Sequence, residues 1–174
     1  PRRQRQMCIR DSMYTGIEKS RAWQEFKLLQ LMKNMDLNCP TPIAAMLKKT
    51  GLYYQADIIL KKISSARDLH NILLANSLTA DVWKKIGQTI AKFHHHQIYL
   101  HDLNIHNIML DIENKVWLID FDKCRIRQGS NWKNSNMARL KRSFEKEKRL
   151  HNIYWQLADW QILISAYNEA AMAN

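Results

Sequence analysis

The stretch IYLHDLNIHNIMLDIENKVWLIDFDK, residues Ile98 to Lys123, decides the fold of this chain of 174 residues. It contains two short apolar runs, Ile108 to Leu110 and Val116 to Ile119, which the polar segment Asp111 to Lys115 separates. Two such runs around a polar connection are typical of a β-hairpin. Polar residues stand directly before the first run and after the second, so the sequence predicts a hairpin with reactive groups at its open end.

Asp102, Asn107 and Asp120 are the polar residues at this end. Antiparallel pairing of the two strands would bring them to one edge. Phosphoryl transfer needs such groups, because Mg²⁺ is held by oxygen ligands and a carboxylate must orient the acceptor hydroxyl and take its proton. Each residue alone could be an ordinary turn or strand-end residue. Together they match the kinase motifs H-R-D-x-x-x-x-N and D-F-G, with Asp102 as catalytic base, Asn107 and Asp120 as metal ligands, and ATP as donor.

Composition indicates one globular domain, since 46% of the residues are apolar and the chain has only 4 Gly and 3 Pro. The 27 Lys and Arg against 16 Asp and Glu give a net charge of +11. This charge attracts nucleic acids, anionic lipid surfaces or phosphorylated glycolipids. Net charge alone does not distinguish among these partners. The sequence contains no apolar run near the ~20 residues of a membrane span and no signal peptide, so we expect a cytoplasmic protein, at most peripheral to a membrane.

Cysteine and histidine usage predicts no metal site. Cys8, Cys39 and Cys124 show no C-x-x-C spacing, which indicates reduced thiols rather than disulfides or zinc ligands. The run from His94 to His96 ends a predicted helix, where consecutive side chains point in different directions. We favour interaction with the helix C-terminus over metal binding for this run.

Residues 1–12, PRRQRQMCIRDS, are arginine-rich and lack apolar periodicity. We interpret them as a non-native segment, such as translated adapter or vector sequence, or as disordered. A native basic arm is the alternative. We therefore exclude these residues from the fold prediction.

Apolar residues at helical spacing, Trp23, Phe26, Leu29 and Met32, predict an amphipathic helix over residues 18–35. Short apolar runs at 45–47, 52–54 and 56–60 then predict strands, with a turn at 48–51. Further helices are predicted over 64–74, from a cap at Thr79, from Ser135 or Asn136 to about Leu150, and over 152–172.

This order of elements resembles the protein-kinase-like fold from its C helix onward. The resemblance implies an α+β protein that consists mostly of the helical C-lobe, residues 64–174, with the catalytic loop and the metal-binding hairpin. Residues 13–63 would be a truncated N-lobe with the C helix, the two following strands and the hinge. More narrowly, five segments are similar to the lipopolysaccharide core kinases: EFKLLQLM, CPTPIAA, DLNIHNIML, WLIDFDKCRIR and NWKNSNMARLKRSF.

The resemblance implies transfer of the γ-phosphoryl of ATP to the 4-hydroxyl of a 3-deoxy-D-manno-octulosonic acid (Kdo) sugar on a lipid A precursor. The partners would be this glycolipid and the anionic cytoplasmic face of a Gram-negative inner membrane, to which the protein would bind peripherally. Glu25 would be the C-helix acid. Backbone groups of the hinge would bind adenine; this hinge comprises Leu60, Lys61, Lys62 and Ile63.

Five residues are candidates for binding the acceptor. Arg139 and Arg142 offer fork-shaped donors that suit the carboxylate of Kdo and the phosphates of the lipid, although a solvated basic helix face is an equal alternative. Lys123 follows the D-F-D motif. Asn104 could bind substrate or close the loop, and His106 could contact substrate or stabilise the loop by a hydrogen bond.

The sequence departs from the kinase motifs at Leu100 and His101, which replace His and Arg, and at Asp122, which replaces the D-F-G glycine. No glycine-rich strand pair precedes the C helix, where Gly16 is the single glycine. We therefore expect an N-terminally truncated kinase with little or no activity of its own, since the phosphate clamp positions the donor.

Two other functions stay open. One is a different small-molecule kinase of this fold, such as a heptose kinase or an aminoglycoside-type phosphotransferase, and the other is a non-catalytic module that binds polyanions. Nucleic-acid binding is not expected, because Trp23, Trp83, Trp155 and Trp160 fall on apolar helix faces. Trp132, in a predicted loop, is the exception and could pack on lipid or sugar. The oligomeric state is not predicted.

Overall fold

The computed structural model describes residues 4–13 and 16–173. The chain forms two compact units. The first unit extends to Ile63 and also contains Phe121–Cys124. The second consists of Ser64–Asp120 and the chain from Arg125 onward. Both contain helices and strands, so the protein is α+β.

The first unit combines a helix with a three-stranded antiparallel sheet of strand order β1-β3-β2. β3 alternates in burial, as a strand with one covered face should: Tyr54, Ala56 and Ile58 are buried and their neighbours more exposed. The elements are β1 (Gln4–Met13), a 3₁₀ turn (Ile17–Lys19), α1 (Arg21–Asn34), β2 (Pro42–Thr50) and β3 (Tyr53–Leu60).

The hairpin between β2 and β3 is tighter than predicted. Thr50 pairs with Tyr53, so Gly51 and Leu52 form a two-residue connection. Gly51 has φ 62°, a conformation that glycine adopts without steric cost. β2 therefore continues through residues 48–50, where the sequence predicted a turn.

β1 overlaps residues 1–12, which we excluded from the fold prediction. Residues 4–13 form a strand that pairs antiparallel with β3, from Gln4 opposite Leu60 to Met13 opposite Tyr53. The other side of β3 already pairs with β2, so β1 occupies its remaining edge. An extended segment of any origin can pair with an open edge through its backbone. The pairing therefore does not test the prediction that residues 1–12 are of non-native origin. Residues 1–3 lie outside the described part of the chain.

The second unit is mainly helical, with three short strand pairs. β4, β6 and β7 form one antiparallel sheet, and β5 pairs with β8. The predicted hairpin is confirmed as β6 and β7. The elements are β4 (Arg67–Asp68), α2 (Leu69–Ala75), α3 (Ala80–His95), β5 (Ile98–Tyr99), a 3₁₀ helix (Ile105–Asn107), β6 (Ile108–Leu110), β7 (Val116–Leu118), β8 (Arg125–Ile126), α4 (Asn131–His151) and α5 (Leu157–Met172).

The last two helices differ from the prediction at their ends. α4 begins at Asn131, four residues early, because Trp132 is buried and its indole N–H donates to the carbonyl oxygen of Arg127 at 3.1 Å. α5 begins at Leu157, where Gln156 and Asp159 form a reciprocal capping box. No helix in the described residues combines the length and the apolar content needed to cross a membrane.

Gly87 on α3 allows α5 to approach closely. A β-carbon at this position would lie 2.2 Å from the carbonyl oxygen of Leu163 and 3.0 Å from the backbone nitrogen of Tyr167. Both atoms are backbone, so neither can move aside without shifting the helix. Close packing of α3 on α5 therefore requires glycine at this position.

We expect Gly87→Ala to lower the free energy of unfolding by about 3 kcal/mol through overpacking. Helix propensity alone predicts the opposite, a gain of about 1 kcal/mol. Urea unfolding followed by circular dichroism measures the difference. Gln88→Ala, at the exposed neighbouring position, should change stability by less than about 0.5 kcal/mol. A Gly87→Ala protein as stable as wild type would contradict the close approach.

Candidate active site

The loop that contains Asp102 is held by two side-chain amides. Asn107 Nδ2 donates to the Asp102 carbonyl oxygen at 2.9 Å, and Asn104 Nδ2 donates to the same oxygen at 3.1 Å. Asn104 also caps the 3₁₀ helix, because its Oδ1 accepts from the backbone N–H of His106 at 2.8 Å. The geometry therefore gives Asn104 the loop-closing role that the sequence left open. The carboxylate of Asp102 stays exposed beside this closed loop.

The hairpin connects this loop to Asp120. Ile108 pairs with Leu118, and the backbone N–H of Ile119 donates to the Asn107 carbonyl oxygen at 3.0 Å. Asp120 follows directly. Antiparallel pairing thus brings Asp102, Asn107 and Asp120 to one end of the hairpin, which is the arrangement that the spacing predicted.

Asp120 has a left-handed backbone conformation, with φ 62°. Residues other than glycine adopt this conformation at an energetic cost, and such residues concentrate at functional sites. Lys123, three residues later, has φ 61° and an exposed side chain. Two of the four residues from Asp120 to Lys123 therefore have a backbone conformation that residues other than glycine rarely adopt.

Two side chains of α4 anchor the loop and explain how it is held without the His and Arg of the kinase motif. Asn136 Oδ1 accepts from the backbone N–H of Leu100 at 3.2 Å. Ser143 Oγ accepts from the backbone N–H of Ile105 at 3.1 Å. Sequence reasoning missed both anchors, although their separation of seven residues places them on one face of a helix two turns apart.

Arg139 lies between these anchors on the same face of α4. Its Nη1 is 3.7 Å from Asp102 Oδ1, and both side chains are about half exposed. A guanidinium at this distance attracts anionic groups to the loop. Arg142 is exposed on the next turn of α4. The structure thus brings the first of the two predicted acceptor arginines to Asp102.

His106 is exposed and contacts a buried carboxylate and another imidazole. Its Nε2 is 3.5 Å from Oε1 of the buried Glu147, and its ring lies against His70 with centroids 4.5 Å apart. The geometry supports the loop-stabilising interpretation of His106.

In the first unit, Glu25 is 5% exposed on α1. The hinge candidates follow β3: the backbone N–H of Lys61 donates to the Thr41 carbonyl oxygen at 2.8 Å. Lys61 and Lys62 are exposed, whereas Leu60 and Ile63 are half-buried. The backbone of Lys61 therefore lies next to the segment that leads into β2.

A clamp that sequence reasoning missed joins α1 to the D-F-D motif within the first unit. Arg21 Nε donates to Asp122 Oδ1 at 3.0 Å, and Arg21 Nη2 donates to Oδ2, so the carboxylate is held by both arms of the guanidinium. The sequence carried no signal for this pair, because its two residues are 101 positions apart. Asp122, at the position of the usual glycine, thus has a structural partner.

We expect a double-mutant cycle over Arg21→Ala and Asp122→Ala to give a coupling energy of about 1 to 2 kcal/mol in urea unfolding, since bidentate charged hydrogen bonds exceed ordinary surface pairs. Arg21→Lys should lose most of the coupling because an ammonium cannot form the fork. The control pair is Lys27 with Glu18, which is exposed and should couple by less than about 0.5 kcal/mol. Equal coupling in the two pairs would contradict the clamp.

Two side chains singled out in the sequence are core residues. His94 is 1% exposed, with Nδ1 2.8 Å from the Tyr167 hydroxyl. Burial lowers the pKa of His94 to about 4, so this imidazole is neutral at physiological pH. Trp132, expected in a loop as a contact for lipid or sugar, is 4% exposed in α4 and packs edge-on against His94 with centroids 5.0 Å apart. That expectation is wrong, because the helix begins before Trp132 and buries it.

Among solved structures, the Cydia pomonella granulovirus kinase PK-1 is similar to this chain, with a TM-score of 0.50 and 20% identity over 86% of this chain and 55% of that one. The predicted α+β kinase-like fold is confirmed by this likeness.

Two curated relatives are similar to this chain in sequence. The 3-deoxy-D-manno-octulosonic acid kinase of Vibrio cholerae is 46% identical over 156 residues, which cover 90% of this chain and 66% of the relative. The protein of the same name from Haemophilus influenzae is 44% identical over 161 residues, covering 90% and 67%. This chain thus spans about two thirds of the length of these relatives. For the Vibrio cholerae protein the share is just under two thirds. The model of the lipopolysaccharide kinase (Kdo/WaaP) family matches residues 2–167. The resemblance seen in the sequence is confirmed, and the chain belongs to the lipopolysaccharide kinase (Kdo/WaaP) family.

Proposed function

We propose that the protein transfers the γ-phosphoryl group of ATP to the 4-hydroxyl of a Kdo sugar on a lipid A precursor. The observation that carries this proposal is the loop in which Asn107 binds the carbonyl of Asp102 and Arg139 approaches its carboxylate. The name shared by the curated relatives supports the choice of Kdo as acceptor.

Asp102 is the catalytic base. Its exposed carboxylate accepts the proton of the acceptor hydroxyl as that oxygen attacks the γ-phosphorus. The hydrogen bonds to its backbone carbonyl fix the loop, so the carboxylate is presented without rearrangement. Arg139 attracts the anionic acceptor to this position.

Asn107 and Asp120 are the metal ligands, and their chemistry fits Mg²⁺, which prefers carboxylate and amide oxygens. The amide nitrogen of Asn107 donates to the loop, which leaves Oδ1 as its metal-binding atom. When bound, Mg²⁺ neutralises charge on the phosphates of ATP. The left-handed conformation of Asp120 supports a functional role for this residue.

The donor-binding residues follow from the kinase fold. Backbone groups of residues 60–63 bind adenine, and Glu25 is the acid of the C helix, α1. Its burial supports an internal pairing role rather than a surface charge. The lysine and the glycine-rich cover that complete a kinase N-lobe are not identified among the described residues.

Arg142 and Lys123 are further candidates for binding the acceptor, since Kdo offers a carboxylate and the lipid offers phosphates. The net charge of +11 favours peripheral binding at the cytoplasmic face of the inner membrane, where anionic lipid attracts basic proteins.

The proposal is tested with γ-labelled ATP and a panel of acceptors: Kdo-bearing lipid A precursor, a heptose-bearing core glycolipid and an aminoglycoside. The assay uses the 174-residue chain and the full reading frame that contains it. We expect the full protein to label the Kdo-bearing lipid alone, and the 174-residue chain to transfer little or no label. Transfer to the heptose-bearing glycolipid or to the aminoglycoside instead would show that Kdo is not the acceptor. Failure of the full protein to bind Mg-ATP would instead favour the polyanion-binding module.

We expect Arg139→Ala and Arg142→Ala each to raise the acceptor KM by about 10- to 100-fold while the ATP KM changes less than about twofold, because one lost charged hydrogen bond costs about 1.5 to 3 kcal/mol. Steady-state kinetics in the full protein measures both constants. Arg149→Ala, at an exposed position on the same helix, is the control. Equal increases in both KM values would exclude an acceptor role for the two arginines.

A further inference from the structure

A buried carboxylate in the second unit is surrounded by three imidazoles. Glu147, on α4, is 5% exposed. Its oxygens lie 3.3 Å from His70 Nε2, 3.5 Å from His151 Nε2 and 3.5 Å from His106 Nε2. We propose that this group, here called the His–Glu cluster, binds one Zn²⁺ ion and thereby fixes the catalytic loop.

The distances support a metal site. Around a tetrahedral Zn²⁺ with bonds of about 2.0 to 2.1 Å, neighbouring ligand atoms lie about 3.3 Å apart. Glu147 Oε2 lies 3.3 Å from His70 Nε2 and 3.5 Å from His151 Nε2, and His106 Nε2 lies 3.5 Å from the other oxygen, Oε1. The donor atoms of His70, Glu147 and His151 also lie within 4.8 Å of one another. The donor set of imidazole nitrogens and one carboxylate suits zinc.

His70 supplies a second observation. Its Nε2 is buried and makes no hydrogen bond within the described residues, although a Glu147 oxygen is 3.3 Å away. Buried polar atoms are normally satisfied. A metal ion between the two groups would use the lone pair of His70 and the charge of Glu147 together.

The four residues of the His–Glu cluster come from three elements of the second unit. Glu147 and His151 are one helical turn apart on α4, so they lie on the same face. His70 belongs to α2, and His106 belongs to the 3₁₀ helix of the catalytic loop. Asp68 could join His70 and His106 in an alternative set. Its carboxylate, however, already accepts hydrogen bonds from the backbone and side-chain amides of Asn71 as a helix cap.

The competing account is a set of ion pairs without metal. Lys146 Nζ also lies 3.9 Å from Glu147 Oε1. In such a set, three imidazoles and Lys146 share the two oxygens of one buried carboxylate. One divalent cation would use the imidazole lone pairs and the carboxylate together. Lys146 is mostly exposed and can turn into solvent.

Zinc would act here as a structural ion. His106 lies between Asp102 and Asn107 in sequence and contacts the second oxygen of Glu147, so a zinc-bound Glu147 would tie the catalytic loop to α2 and α4. The cluster is separate from the proposed Mg²⁺ ligands Asn107 and Asp120, and its test does not require kinase activity.

The test titrates Zn²⁺ into the chelator-treated protein by calorimetry and follows Co²⁺ as a spectroscopic probe. We expect one Zn²⁺ per chain, visible absorption typical of tetrahedral Co²⁺, and a melting temperature about 5 to 10 °C higher at a hundredfold excess of zinc over Kd. His151→Ala should weaken zinc binding more than about 100-fold, since even outer-sphere changes cost 10- to 100-fold. This side chain is about half exposed, so its removal preserves the fold.

His95→Ala is the matched control, because His95 is an exposed histidine outside the cluster. It should leave stoichiometry, affinity and the Co²⁺ spectrum unchanged, whereas Glu147→Gln should weaken binding as His151→Ala does. The proposal is overturned if wild-type protein binds no zinc, or if His95→Ala and His151→Ala weaken binding equally. A loss of stability in Glu147→Gln that is the same with and without zinc would establish ion pairs instead.

Discussion

Asp102→Asn should lower kcat by about 10³-fold, within the 10²- to 10⁴-fold range of general base catalysis. The amide keeps the size of the side chain but cannot take the proton of the acceptor hydroxyl. The backbone carbonyl of Asp102, which receives both loop hydrogen bonds, is unchanged by the substitution. The Kd for Mg-ATP and the melting temperature should therefore stay near their wild-type values.

Single-turnover transfer from γ-labelled ATP in the full protein measures this loss directly. Asp81→Asn is the matched control, because Asp81 is an exposed carboxylate paired only with Lys85 along α3 in the described residues. It should retain full activity. An Asp102→Asn protein within about tenfold of wild type would show that another group takes the proton.

Asp120→Asn should weaken Mg-ATP binding by about 100-fold or more, because it removes the charged ligand of the metal. Asn is the informative substitution at this position. The backbone of Asp120 is left-handed, with φ 62°, and Asn adopts that conformation more readily than most residues. The variant therefore removes the charge with little change of backbone.

Calorimetric titration of Mg-ATP and of ATP with chelator separates metal-dependent from metal-independent binding. Wild type should bind Mg-ATP more tightly than ATP, and Asp120→Asn should bind both with similar affinity. Asp111→Asn, which alters another aspartate of the hairpin, should keep the preference for Mg-ATP, since Asp111 binds backbone N–H groups and the Trp117 indole. If Asp120→Asn keeps that preference, Asp120 is not a metal ligand.

The sequence predicted the hairpin and the convergence of Asp102, Asn107 and Asp120 because both follow from local patterns. Alternating apolar runs specify strands, and antiparallel pairing then determines which residues meet at the open end. The kinase fold followed from the order of elements. These features depend on residues close together in the chain.

The features that sequence reasoning missed depend on distant residues. Asn136 and Ser143 anchor the loop from α4, some forty residues away, and a polar residue on an amphipathic helix does not reveal its partner. α4 begins earlier than predicted, because the burial of Trp132 is a tertiary effect that local sequence does not show. The His–Glu cluster was missed because its histidines come from three separate elements.

The clamp between Arg21 and Asp122 has a consequence for inhibitor chemistry. In protein kinases the packing of the D-F-G phenylalanine distinguishes active from inactive states. Here Phe121 is 1% exposed, and the next residue is held by both arms of Arg21. A compound that requires Phe121 to leave its position would have to break this fork, which lowers its affinity. Drugs that select an inactive state of human kinases should therefore be poor starting points, and compounds that accept the segment as it stands offer the better route to selectivity.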